Sequence, residues 1–271
     1  MSTDGTSAAA GGTAPPAIEA RALSLLFEQG GSRIVALDNV DLSIAKGEFV
    51  SLIGPSGCGK TSLLRMIADL AQPTSGMLRV AGRSAEEARK SRSYGIVFQQ
   101  PALLPWRRAE GNVALPLEIM GRPRADRAAR TRETLARVDL AGFEASYPWQ
   151  LSGGMQQRVA IARAMSFGAE LLLMDEPFGA LDEITRDALN LYLRAIWEET
   201  QATVVFVTHS IAEAVFLSDR IVVMSPRPGR IVETIDCALP RHRTLDLREQ
   251  PEFLECARKV RSALSRYHSY D

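Results

Sequence analysis

The 271-residue chain is 46% hydrophobic, enough for one large α/β domain or two modest ones, and this excludes a disordered or fibrous protein. Its 32 Lys and Arg balance 32 Asp and Glu, so no bulk positive field points to nucleic acid as a partner. Cys58, Cys237 and Cys256 lack metal-ligand or CxxC spacing and read as free thiols in a reducing compartment.

In chain order, Met1 to about Ala17 is Ser, Thr, Ala, Gly and Pro with almost no large apolar group, and reads as a disordered lead. From Ile18 a strand pattern follows: Ala22 to Phe27, a Gly30-Gly31 turn, Arg33 to Leu37, then the alternating Val40 to Ile44. This predicts an antiparallel β layer leading into the apolar strand Phe49 to Ile53. A helix from Leu63 and short strands at Met77 to Ala81 and Tyr94 to Phe98 come next. Between about Trp106 and Ser166 the chain turns arginine- and alanine-rich at helical periodicity, which predicts a helical subdomain inserted into an α/β core.

Strands return at Leu171 to Met174, Thr203 to Val207 and Arg220 to Met224, separated by helical stretches at Glu183 to Thr200 and Ile211 to Leu217. Continuous apolar strands alternating with helices predict a mainly parallel sheet covered on both faces. Pro226-Arg227-Pro228-Gly229 reads as a turn into a last strand near Ile231 to Ile235, and a helical tail starts at Pro251. No apolar run approaches the ~18 residues of a membrane span and no signal pattern opens the chain, so a soluble, cytoplasmic protein is expected.

The stretch Gly54-Pro55-Ser56-Gly57-Cys58-Gly59-Lys60-Thr61-Ser62 lies between a buried strand and a helix, the context a phosphate loop requires. Its backbone N–H groups can turn onto anionic oxygens, aided by the positive end of the helix dipole. Lys60 would reach the terminal phosphates, and Thr61 would offer a hydroxyl to Mg²⁺, which favours oxygen ligands. An ordinary glycine-rich turn rarely carries Lys and a hydroxyl at this spacing. Alkylation of Cys58, inside the loop, should block the site.

Leu171-Leu172-Leu173-Met174-Asp175-Glu176 delivers two carboxylates to the C-terminal end of a buried strand, where open α/β sheets bind ligands. Asp175 would hold Mg²⁺, and Glu176 would polarise an attacking water. Ser152-Gly153-Gly154 opens a helix through Gln157-Arg158 and makes a second anion-binding helix start.

In Leu151-Ser152-Gly153-Gly154-Met155-Gln156-Gln157-Arg158 the sequence resembles the ATP-binding subunits of ABC transporters, whose signature is LSGGQ followed by QR. Met155 stands where glutamine is usual. The resemblance runs from about Ile18 to Arg241 and implies an ABC-type P-loop NTPase domain over 18–241, with its helical subdomain at about 106–166 and a short tail at 242–271. It implies a Mg²⁺-dependent ATPase in which Gln99 contacts the metal and the water, Gly179 to Asp182 form the D-loop, and His209 lies near the γ-phosphate. Phe27 stands where an aromatic ring would stack on adenine.

The second cradle would close on ATP held by another copy, giving a head-to-tail homodimer. Transmembrane permease subunits and, indirectly, an extracytoplasmic solute-binding protein are the implied partners, placing the chain peripherally on the cytoplasmic face of the membrane. Leu103-Leu104-Pro105-Trp106, Phe178 to Asp182, Ala214 to Leu217 and Met224 to Ile231 look like the ATPases of nitrate, sulfonate and taurine importers. Asp69 and Ser210 depart from the usual glycine and aspartate. A soluble ABC ATPase acting on DNA or in translation would need a long coiled-coil insertion or tandem cassettes, and this chain has neither. A phosphate-loop kinase is opposed by Leu151 to Arg158.

Overall fold

The computed structural model describes residues 15–29, 32–179 and 181–267. Most of the expected N-terminal lead, the Gly30-Gly31 turn and Ala180 of the D-loop segment lie outside the described residues. The first part of the chain comprises β1 (Ile18–Gln29), β2 (Ser32–Ile44), β3 (Phe49–Ile53), α1 (Lys60–Ile67), β4 (Ser75–Val80), β5 (Arg83–Ser84), α2 (Ala85–Lys90) and β6 (Tyr94–Val97). Three helices follow: α3 (Ala109–Ile119), α4 (Arg124–Arg137) and α5 (Gly153–Met165). The chain then runs β7 (Leu171–Asp175), α6 (Glu183–Thr200), β8 (Thr203–Val207), α7 (Ile211–Leu217), β9 (Arg220–Met224), β10 (Ile231–Asp236) and α8 (Pro251–Tyr267).

Two sheets result, an antiparallel one in the order β2-β1-β4-β5 and a second in the order β10-β9-β3-β8-β7-β6, parallel except for β10. Every residue of β3, β7 and β8 is buried, which is why these strands read as continuous apolar runs. Alternate side chains serve opposite faces. Phe49 and Ile53 join Phe178, Trp197, Phe206 and Phe216 on one side, while Val50 and Leu52 join Leu63, Leu64 and Ile67 of α1 on the other. A third cluster, with Val113, Leu135, Leu140 and Val159, lies among α3, α4 and α5. Helix α5 joins it to the main core, sending Val159 and Ala162 one way and Ile161 and Ala164 the other.

Several local expectations change. Ala17, assigned from sequence to the disordered lead, is buried, donates its N–H to the Ile44 carbonyl and accepts from Ala81 N–H, so the sheet begins before Ile18. The two strand pieces expected over Arg33 to Ile44 are one strand, kinked at Asn39 (φ 52°) and paired to β1 through register shifts. Helix α2 escaped the sequence reading because it buries only Ala88. Its signal was the capping box in which Ser84 accepts from Glu87 N–H and the Glu87 carboxylate returns to Ser84 N–H. The helical tail expected from Pro251 forms α8, whose Phe253, Cys256, Val260 and Ala263, at helical spacing, are part of the main core.

Candidate nucleotide site

The sheet order explains how distant residues meet. The phosphate loop follows β3, His209 follows β8, Asp175 ends β7 with Glu176 just after it, and Gln99 follows β6, so all four segments emerge at the C-terminal edge of neighbouring parallel strands. Gly59 caps α1 with φ 101°, and a Cβ there would come within 2.6 Å of Leu37 and 3.0 Å of the Ala36 carbonyl, so the turn into the helix requires glycine. Lys60 opens α1 and is buried. Its ammonium donates to the Gly54 and Pro55 carbonyls at 2.7 and 3.0 Å, folding the cation across the loop it serves. Ser56 and Gly57 form the exposed tip of the loop.

Next to Lys60, the Thr61 hydroxyl donates to Asp175 Oδ1 at 2.8 Å. Burial pushes the Asp175 carboxyl above the usual carboxylate range and Glu176 adds to this, while the Thr61 hydrogen bond, Arg65 and Lys60 oppose it. A divalent cation would relieve that cost. The hydroxyl and the carboxylate are hard oxygen donors side by side, a set that fits Mg²⁺ completed by phosphate oxygens and water.

Glu176 takes φ 45°, held by its N–H bond to the Val207 carbonyl. Its Oε2 lies 3.3 Å from His209 Nδ1 and 3.4 Å from Gln99 Nε2. Two side chains, from the segments that follow β6 and β8, thus converge on one oxygen of the Glu176 carboxylate, next in sequence to the Asp175 that Thr61 holds.

Phe27 is 49% exposed, so it is not a core residue, and its ring is free to stack on a planar ligand. Ser152 is the N-cap of α5 and accepts from Met155 N–H at 3.3 Å. Among the described residues, no hydrogen bond or ion pair joins Phe27 or Ser152 to Gly154 to the cluster around Glu176. Gln157 does reach across, donating to the Phe98 carbonyl just before Gln99.

Two supports went unread in the sequence. Gly229 packs so tightly that a Cβ would lie 1.9 Å from the Cys58 carbonyl, and it exchanges backbone hydrogen bonds with Ala36 and Asp38 of β2. Arg230 pairs with Asp38, and the Arg227 guanidinium reaches the Gly57 carbonyl at 3.5 Å, so the β9–β10 turn clasps the phosphate loop against β2. The motif Pro226 to Gly229 signalled only a turn.

The second support is Glu213, buried, which accepts from the Thr208 hydroxyl at 2.6 Å, while that oxygen accepts from Ser210 N–H. The pair braces the backbone on both sides of His209. Ser210 also caps α7 through Glu213 N–H, work an aspartate could do equally well. Asp69 adopts φ 51°, a conformation glycine takes freely, and here its carboxylate is held by Arg89, which keeps it below the usual range.

A glycine-rich loop with its lysine, a hydroxyl beside a buried aspartate and a second carboxylate at one sheet edge define a phosphate-loop nucleotide-binding protein. Within that class the chain belongs to the ABC transporter family, whose model, described as ABC transporter, matches residues 37–179, and it is an ABC ATPase subunit that binds ATP. It is 48% identical over 244 residues to an uncharacterized ABC transporter ATP-binding protein of Methanocaldococcus jannaschii, covering 89% of each chain. It is 51% identical over 205 residues to the taurine import ATP-binding protein TauB of Chromobacterium violaceum, covering 74% of this chain and 76% of that one. Among solved structures, the dimeric post-hydrolysis state of the ATP-binding cassette MJ0796 bound to ADP and Pi superposes with a TM-score of 0.76 at 36% identity, over 82% of this chain and 100% of that one.

Proposed function

We propose that this chain hydrolyses ATP to drive an importer for taurine or a similar small solute such as a sulfonate or nitrate, working as a homodimer on the cytoplasmic face of the membrane. The observation that carries the chemistry is the convergence of Gln99 and His209 on Glu176 beside Thr61–Asp175. In this reading the loop amides and Lys60 bind the phosphates, and Thr61 and Asp175, with Gln99, hold Mg²⁺, which when bound neutralises phosphate charge. Glu176 accepts a proton from the water as its oxygen attacks the γ-phosphorus in line, and ADP leaves. His209 orients the water and Phe27 stacks on the base.

The importer assignment draws on relatives named for taurine import, of which several are 40–51% identical. Among the described residues no helix is long and apolar enough to cross a membrane, so passage of solute falls to permease subunits. A groove of about 450 Å³ between the edge strand β6 and α3, lined by Tyr94, Ile96, Phe98, Leu115 and Ile119, offers them an apolar seat. Trp106 is 71% exposed, which favours a docking role over a buried anchor. Trp106→Ala should therefore weaken attachment to the permease in a pull-down and leave ATP affinity unchanged; equal loss of both would count against docking. The test of function is ATP turnover by the chain reconstituted with its permease and solute-binding protein. Stimulation by taurine or an alkanesulfonate supports the reading, and stimulation by nucleic acid without the permease contradicts it.

A further inference from the structure

Cys237 directly follows β10 and Cys256 lies in the second turn of α8; both are buried, and their sulfurs are 3.3 Å apart. A disulfide requires about 2.05 Å between sulfurs, so closure asks for a shift of about 1.3 Å, within reach of small side-chain rotations. The pair lies far from nucleotide chemistry. Cys237 N–H donates to the Asp219 carbonyl, and the Asp219 carboxylate accepts from Phe49 N–H at the start of β3, whereas the phosphate loop leaves the other end of that strand. The residues between the two cysteines include Arg243, buried and donating to the Val215, Phe216 and Ser218 carbonyls where α7 ends. A cross-link would close this segment into a loop and fasten α8 to the sheet.

The two sulfurs are not equivalent. Hydrogen bonding from Cys237, with help from Lys259 and Arg243, holds the Cys256 thiol below the usual range despite its burial, while the same contact and burial push Cys237 up. These surroundings favour the thiolate on Cys256, so the step below starts from that sulfur.

We propose that Cys237 and Cys256 form a peroxide-oxidisable pair that closes to an intramolecular disulfide in the folded protein, a modification site separate from the nucleotide site. The Cys256 thiolate attacks one oxygen of hydrogen peroxide, the O–O bond breaks, and the leaving hydroxide takes a proton to become water, leaving a sulfenic acid. The Cys237 sulfur then attacks that sulfur, the S–O bond breaks, and the second water departs with the Cys237 proton. Two thiols and one peroxide give one disulfide and two waters, two electrons passing from sulfur to oxygen.

The experiment treats the full folded chain with hydrogen peroxide, removes it, and alkylates with iodoacetamide in denaturant. The expected product carries one alkylated cysteine, Cys58, and without alkylation is about 2 Da lighter than the reduced chain. Trypsin should release residues 231–241 joined to 249–258, separable by dithiothreitol. The oxidised chain should melt at a higher temperature than the reduced one. Cys256→Ala should abolish the joined peptide, and Cys237→Ala gives the same readout should the first variant fold poorly. Three alkylated cysteines after peroxide, over-oxidation of Cys256 without the joined peptide, or the cross-link arising only in previously unfolded chain would each overturn the proposal.

Discussion

The chain carries two candidate anion cradles built in opposite ways. The loop from Gly54 to Ser62 is hemmed in: Gly59 presses on Leu37, Gly229 presses on Cys58, and Lys60 is buried with its charge spent on loop carbonyls. The helix start at Ser152 to Gly154 is open. Ser152 and Gly153 are exposed, and a Cβ on Gly153 would meet nothing within 4 Å. A site completed within one chain can be braced on every side, whereas one meant for a ligand held by another copy must present bare backbone to solvent. That contrast supports the head-to-tail dimer proposed above.

The largest expected effect comes from removing the charge of the braced cradle. Lys60→Ala should lower ATP turnover by about 10²–10³-fold or more and weaken ATP binding. Wild-type affinity by calorimetry would contradict the assignment.

A smaller loss should follow from loosening the brace while keeping the charge. Gly229→Ala forces a methyl group into the Cys58 carbonyl, and an overpacking cost of about 1–3 kcal/mol passed to the loop weakens ATP binding about tenfold or more. Unchanged affinity in a folded variant would show that the β9–β10 turn does not set the loop. The same test at Gly153, where space is open, should leave the fold untouched.

The smallest effect is one of stability. Burial raises the Asp175 pKa in the folded state, so this group favours folding below its ordinary value and loses that contribution as pH rises through the folded pKa. At neutral pH its ionised form therefore costs stability. Asp175→Asn should raise the melting temperature of the nucleotide-free chain by about 2–4 °C at pH 7, a gain that vanishes toward pH 4, while Mg²⁺-ATP stabilises the variant less than the wild type. A variant that melts lower at pH 7 would show that the carboxylate is already compensated.

Much of this was legible in the sequence because backbone chemistry left marks there. The spans of α6, α7, β8 and β9 follow from apolar period and turn residues, and the phosphate loop announces itself by glycines before Lys60 and Thr61. What stayed hidden depends on long-range contact. Nothing local says that Gly229 will touch Cys58, that Glu213 will brace Thr208, or that the two cysteines apart from Cys58 will meet. The helical tail from Pro251 was legible too, but nothing local says that Phe253, Cys256, Val260 and Ala263 will join the main core.

In the proposed mechanism Glu176 activates water, and Ser152 to Gly154 complete a site on a second copy. Light scattering of Glu176→Gln with and without Mg²⁺-ATP tests both parts, with turnover measured on the same sample. Turnover should fall about 10²–10⁴-fold with ATP affinity retained. The mass should double on adding nucleotide, and adding Ser152→Arg should return it to that of a monomer that still binds ATP. A Glu176→Gln chain with normal turnover, or an ATP-induced dimer that persists with Ser152→Arg, would contradict it.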